Sequence, residues 1–477
     1  MAGICLGFEV HQPFRLNPSF RPEAAKGRRD LKNHYFDPRN RAILRRVAER
    51  CYVPATGLLI KALDEGLRCS FSLSGVLVEQ LEAWCPEALS LFVEAGSHRN
   101  AEVLAQTYYH SLAGFFADRD ELAAQIGMHA DLMAELFGRR PRVAENTEFS
   151  LDPGIAAAIR DLGFSAVYTE GADRILLGRT PNETYTCEGM PVLLRNCPLS
   201  DDIAFRFSWK GWDKQPLTAG KYAAWIAGSP GRCAHVFVDF ETFGEHQPAG
   251  SGIFGFLSAL PAALDRAGVA CVLPSEAAAH PPAGRIEIPD PVSWADLEKD
   301  TSAWLGNHLQ RSAFFALEHS PARTMRPELW RYLGTSDHFY YLASKDGSCG
   351  EVHRHFCPNG RFESYEAFMR VLSHLERRCL PKAKHALVSL PADRAFHFSF
   401  PDGTYAGWSA HSLREFEEAL DQAPAAAVDR HLARGDFARW IEGSFGERRL
   451  AREVAACETV DAVKNAVRER RCRLCAR

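Results

Sequence analysis

The chain has 477 residues, 46% of them hydrophobic and 24% charged, with a formal net charge of −4 at pH 7. That length holds one large catalytic domain plus an accessory region, since a single α/β barrel takes roughly 250 residues. The balance excludes a disordered chain and a nucleic-acid-binding protein, and no apolar run approaches the roughly 20 residues of a membrane-spanning helix. Strand-like residues begin at Gly3 and leave no room for a secretory leader, so the expected location is cytoplasmic. Fourteen cysteines spread from Cys5 to Cys475 without a compact framework, which reads as reduced thiols. The one close pair, Cys472 and Cys475 in CRLC, has no second CxxC to complete a zinc site and reads as a frayed tail.

In chain order, apolar runs that end in polar residues recur: GICLGFEVHQP, CSFSLSGVLVEQ, AEVLAQTYYHS, RVAENTEF, FSAVYTEG and HVFVDFETFGEH. Near-continuous apolar strands indicate a parallel sheet covered on both faces. Helix-like stretches lie between them, among them RAILRRVAERCY, ELAAQIGMHADLMAELF, and PGIAAAIRDLGF with Pro153 near its start and Gly163 at its end. This β/α alternation, with six strand ends contributing polar residues, favours a closed barrel over an open doubly wound sheet, because a barrel gathers all such ends on one rim.

The pattern changes near residue 289, after HPPAGRIEIPDP. SWADLEKDTSAWLGNHLQRSAFFALEHS, PELWRYLGTSDHFYYLAS and ESYEAFMRVLSHLERR read as a helical bundle, FHFSFPDGTYAG as strands, and the remainder as amphipathic helices. The expected division is a barrel over 1–288, a helical bundle over 289–390 and a small accessory region over 391–477. The phosphate-cradling GxxxxGK[ST] does not occur, and no nucleotide cofactor is indicated.

The chemistry is concentrated at two strand exits, ENTE at 145–148 and DFETFGEH at 239–246. Carboxylates cost free energy to bury unless they are paired or used. Two of them on separate strand ends suggest acid/base or nucleophilic work on one bond.

Taken in order, five segments resemble those that mark glycoside hydrolase family 57: HQP at 11–13, SGVLVEQ with Glu79, ENTEF with Glu148, DFETFGEHQ with Asp239, and GTSDHFYY with Asp337 and His338. Further strings, HYFDPRNRAILRRVAERCYVPA, TYYHSL, LSDDIAFRFS and TEGADRIL, resemble the family's α-amylase-like branch, although Gln106 stands before TYYHS where the resemblance implies an acidic residue. The resemblance implies an incomplete (β/α)7 TIM-like barrel followed by a helical bundle and a small C-terminal region. It also implies retaining cleavage of α-1,4-glucan, as an α-amylase or a 4-α-glucanotransferase, without metal or organic cofactor.

On that reading Glu148 is the nucleophile and Asp239 the acid/base, which requires their carboxyls to lie roughly 5 to 5.5 Å apart. His11, Gln12, Glu79, His110, Trp209, Glu241, His246, Asp337 and His338 are the substrate-binding candidates, with Tyr108, Trp212, Tyr340 and Tyr341 as further stacking surfaces. Asp201 and Asp202 read as structural turn residues, and Glu245 as either an orienting group or a solvated one. A metal-dependent polysaccharide deacetylase is the competing chemistry, yet His11, His110, His246 and His338 never form HxH or HExxH spacing. A catalytically silent glucan-binding protein is the third reading, against which both carboxylates stand.

Overall fold

The computed structural model of the chain describes residues 3–344 and 359–476. Seven parallel strands form its central sheet: β1 (Gly3–Val10), β2 (Cys69–Leu73), β3 (Ala101–Val103), β4 (Val143–Glu145), β5 (Ala166–Glu170), β6 (Met190–Arg195) and β7 (Cys233–Asp239). Their hydrogen-bonded order is β3-β2-β1-β7-β6-β5-β4. A parallel bridge between Ala105 and Ala144, with Ala105 N–H donating to Val143 O at 3.0 Å and Glu145 N–H to Ala105 O at 2.8 Å, links β3 to β4. The strands therefore follow one another around the sheet in chain order, one short of the eight of a complete barrel.

Alternation along each strand decides which side chains face inward. On β1, Ile4, Leu6, Phe8 and Val10 join an outer core with Leu59, Leu77, Phe92, Met133, Tyr222 and Leu257 from the surrounding helices. Burying each of these large side chains contributes about 1.5–3 kcal/mol. The alternate residues point inward, where Cys5 packs with Phe149, Tyr168, Leu193, Cys233 and Phe237. Gly7 also belongs to this inward row. A Cβ there would fall inside the Phe237 ring, so the absence of a side chain is what lets the ring fill the barrel.

Several elements differ from their sequence patterns. The run CSFSLSGVLVEQ is a strand only to Leu73; from Gly75 it becomes the helix Gly75–Trp84, because Gly75 packs directly under the Tyr108 ring and starts a turn there. MPVLLR, not singled out as a strand in the sequence, supplies β6. The predicted helix PGIAAAIRDLGF forms as Pro153–Asp161, capped by Asp152 Oδ1 accepting from Ile155 N–H at 2.7 Å and ended by Gly163 at φ 86°.

The contacts divide the chain into two compact units: the residues up to Phe14 together with Pro38–Thr301, and Arg15–Asp37 together with the chain from Ser302 onward. The stretch 289–301, grouped by sequence with the helical part, belongs to the barrel unit. Val292 bridges Leu151, and Arg174 donates to the carbonyls of Pro291, Glu298 and Lys299. In the second unit the hairpin Phe396–Ser399/Tyr405–Ala410 and the helices Leu413–Gln422 and Val460–Cys475 share a core containing Phe396, Phe398, Phe416, Phe437, Val463 and Val467. Cys472 and Cys475 lie inside that last helix rather than in a frayed tail, because Val463, Val467 and Leu474 anchor it. No helix among the described residues is long and apolar enough to cross a membrane.

Candidate active site

Past the end of β4 the chain makes a tight turn at Thr147–Phe149 that places Glu148 and Phe149 at φ 59° and 55°. Left-handed backbone costs a residue with a Cβ roughly 1–2 kcal/mol, so it persists only where neighbours enforce it. Here they do. Trp294 N–H and Ser293 Oγ donate to Glu148 O at 3.2 and 3.0 Å, and Thr169 Oγ1 donates to Phe149 O at 2.7 Å. The Glu148 carboxylate is gripped on both oxygens, by Trp294 Nε1 at 2.5 Å from Oε2 and His110 Nε2 at 3.2 Å from Oε1. Its side chain nevertheless keeps 23% of its surface open.

His110, itself at φ 48°, is oriented by its partners. Gln106 Nε2 donates to Glu9 Oε1 and to Ser72 Oγ, both at 2.8 Å, and this turns Gln106 Oε1 toward His110 Nδ1 at 2.8 Å. The amide oxygen accepts, so His110 Nδ1 donates to it and Nε2 faces the Glu148 carboxyl. Glu9 lies 3.6 Å from Nδ1. Gln106 occupies the place where an acidic residue was expected. The amide donates to Glu9 and accepts from His110 at once, which an ionised carboxylate cannot do.

Beneath this layer Ser72 Oγ donates to Glu145 Oε1 at 2.9 Å. Burial pushes Glu9 well above the ordinary carboxylate range, with the charge of Glu145 adding to it. Burial likewise raises Glu145 to about 8, and the charge of Glu148 contributes. The two carboxyls therefore retain protons at neutral pH that exposed glutamates lose. His129, by contrast, is a satisfied core histidine. It is neutral, with Nε2 donating to Leu73 O at 2.8 Å and Nδ1 accepting from Gln106 N–H at 3.2 Å.

Asp239 closes β7, paired in register with Glu9 of β1, and is half-buried. Glu241 follows it and is buried; Tyr52 OH donates to Oε1, and Gln12 also hydrogen-bonds the carboxyl. Burial and then the charge of Asp239 push Glu241 up to about 8, so it stands as a largely neutral carboxyl beside Asp239. Gln12 is fixed in turn by Gln80 Nε2 donating to its carbonyl at 2.6 Å. His11 stacks on His110 with ring centroids 4.0 Å apart, and its Nδ1 lies 2.7 Å from Ser74 Oγ.

The structure thus gathers Glu148, His110 and His11 into one cluster and Asp239, Glu241 and Gln12 into another, tied through the Glu9–Asp239 pairing. The other candidates have contacts of their own. Glu79, on a helix, accepts from Tyr108 OH at 3.0 Å. Glu245 is held by Arg46 at 2.9 Å, and the neighbouring His246 is half-buried with its N–H on Glu241 O. Trp209 is 59% exposed, while Trp212 is packed into the outer core against Trp225. Asp201 and Asp202 are structural, bonded by Arg195 and Arg206. Asp337 and His338 lie in the second unit, where Tyr341 OH is 3.4 Å from Asp337 Oδ1 and His338 Nε2 is 3.2 Å from Tyr332 O; Tyr340 belongs to the same short helix.

Trp294 is the functional residue that sequence reading missed. Its indole lies 4.8 Å from the Phe149 ring and beneath Arg195 at 5.4 Å, and Arg195 is itself buried against Glu170 at 2.9 Å. The available signal was a lone tryptophan directly after the Pro-rich stretch, in PDPVSW. A hydrogen bond to a charged acceptor contributes about 1.5–3 kcal/mol, so Trp294→Phe, which keeps the stacking, is expected to lower kcat/KM about 10- to 100-fold with KM little changed. Steady-state kinetics on a soluble glucan measures this, and unchanged kcat would show the indole N–H to be incidental.

Among the described residues no His/Asp group at the strand ends has mutual spacing suited to a metal ion; the one His/Cys/Asp/Glu group that does is Cys5, Cys233 and His235. Comparison with known proteins agrees with this architecture. The profile of glycosyl hydrolase family 57 matches residues 5–289. A Methanocaldococcus jannaschii protein described as "Putative alpha-amylase" is 38% identical over 395 residues, covering 78% of this chain and 84% of that one. Among solved structures, a GH57 branching enzyme from Thermococcus kodakaraensis superposes with TM-score 0.55 at 13% identity, over 81% of this chain and 90% of that one. The 4-alpha-glucanotransferase from Thermococcus litoralis gives TM-score 0.52 at 16% identity, over 80% of this chain and 60% of that larger one. A parallel seven-stranded barrel with carboxyls at its strand ends, matched by profile over more than half the chain, makes this protein a member of glycosyl hydrolase family 57.

Proposed function

We propose that the protein cleaves α-1,4-glucan with retention of anomeric configuration, Glu148 attacking the anomeric carbon and Asp239 serving as acid and then base. The observation that carries this reading is the placement of Glu148: a partly open carboxyl on a left-handed turn, held by the Trp294 indole N–H and the His110 ring. A carboxylate fixed in place and open to a ligand is what formation of a glycosyl-enzyme intermediate requires. In the first step Asp239 gives its proton to the departing oxygen while Glu148 forms the ester. In the second, Asp239 takes a proton from the acceptor, which attacks the same carbon and frees Glu148.

Water as acceptor makes the enzyme an α-amylase, which the description of the M. jannaschii relative favours; a sugar hydroxyl makes it a 4-α-glucanotransferase on the same two carboxyls. His11, Gln12, Glu79 and His246 are assigned to binding sugar hydroxyls, and Trp209 to stacking on a sugar face.

Incubation with maltoheptaose tests the proposal, with products followed by chromatography and the anomer first released followed by proton NMR. The expected result is shorter maltooligosaccharides appearing first as the α-anomer, at a rate indifferent to chelator. Initial β-anomer would overturn retention, and a protein that binds glycogen without releasing reducing ends or longer sugars would be a binder and not a catalyst.

A further inference from the structure

We propose that Cys5, Cys233 and His235 bind one thiophilic divalent cation of the zinc class inside the amino-terminal half of the barrel. Cys5 on β1 is paired in register with His235 on β7, and Cys233 lies two residues before it, so strand alternation turns all three inward. The two Sγ atoms are 3.5 Å apart, and one ligand atom from each of the three residues falls within 4.8 Å of the others. Zinc–sulfur bonds of about 2.3 Å put tetrahedrally disposed sulfurs about 3.8 Å apart, so a shift of a few tenths of an ångström seats the ion.

Tyr168 OH lies 3.2 Å from His235 Nδ1 and also hydrogen-bonds Cys5. It is the group that orients the imidazole, the second-sphere role that metal-binding histidines need. Leu104, Val143, Ala166, Leu193 and Phe237 surround the cluster. Such a setting tolerates no net charge, and a divalent ion with two thiolates and a neutral imidazole has none. On binding, each thiol releases its proton to solvent, so the step balances as two protons out for one cation in. Among the described residues the Tyr168 hydroxyl is the hydrogen-bond partner of the buried His235 ring. Glu102 Oε1, also buried, has no hydrogen-bond partner among the described residues. The three side chains leave the fourth tetrahedral position to a water, and no path to solvent is needed where the ion enters during folding.

The test uses the full chain carrying Cys472→Ser and Cys475→Ser, so that the exposed helical pair cannot contribute metal. Protein produced in zinc-replete medium is passed through chelator and gel filtration, and its metal is measured by elemental analysis. The expected result is about one equivalent retained. Protein produced with cobalt in place of zinc is expected to show the near-ultraviolet thiolate-to-cobalt band and the intense visible bands of tetrahedral Co(II). Adding Cys5→Ser or Cys233→Ser should abolish both, while Cys457→Ser should change neither. Less than about a tenth of an equivalent in folded, chelator-treated protein overturns the proposal. So does a Cys5–Cys233 disulfide found by mass spectrometry, or a cobalt spectrum that survives both cysteine substitutions.

Discussion

Glu148→Ala is expected to lower kcat on α-1,4-glucan on the order of 10⁴-fold or more, since a nucleophile works as one unit with its partners and little is left without it. Azide should restore turnover from the face that the carboxylate vacates, releasing a β-glycosyl azide. Asp239→Ala is expected to behave differently. It still forms the glycosyl-enzyme from a substrate whose leaving group needs no proton, such as an α-glycosyl fluoride, and azide then attacks from the opposite face to give the α-glycosyl azide. General acid/base assistance contributes about 10²–10⁴-fold, which sets the loss expected on natural glucan. Product configuration by NMR separates the two roles. Wild-type rates in Glu148→Ala, or exchanged azide products, would reverse the assignments. Both variants should fold, because the cost is confined to the hydrogen bonds of a side chain that is already partly open.

Gly7→Ala is expected to be strongly destabilising. The new Cβ would overlap Phe237 Cδ2 and Cε2, and the Phe237 ring cannot retreat. It is held by Phe149 at 4.6 Å, Tyr168 at 5.4 Å and Trp294 at 6.1 Å. Overpacking of this kind costs about 1–3 kcal/mol, and more where the neighbours are locked. Phe149 and Trp294 also flank Glu148, so the same variant should lose activity at temperatures where it remains folded. Thermal unfolding followed by circular dichroism, with kinetics at 25 °C, checks both effects. A variant as stable and as active as the parent would mean that the barrel interior is looser than its packing indicates.

Much of the molecule was legible in the order of residues. Alternating strand and helix patterns, together with six polar strand ends, pointed to a closed parallel barrel. Glu148, Asp239, His11 and His110 stood at the ends of apolar runs, where burial of charge demands a reason. What escaped notice was of two kinds. β6 escaped because it follows the strand Tyr185–Cys187 by two residues and pairs with it antiparallel, which hides the parallel β/α pattern, and Trp294 lay beyond a Pro-rich stretch that looked like a boundary. The role of Gln106 could not be read either, because its meaning depends on Glu9, Ser72 and His110, which are up to 97 residues away.

The sequence by itself determined the parallel β/α architecture and the carboxylates at the strand exits, because periodicity and the cost of burying charge are properties of short segments. Only the tertiary structure decided that Gln106 joins His110 to Glu9, that burial pushes Glu9 and Glu145 toward their protonated forms, and that Trp294 holds Glu148. Those facts arise from donors and acceptors meeting across distant strands inside a medium that screens charge poorly, where each group's state is set by its neighbours.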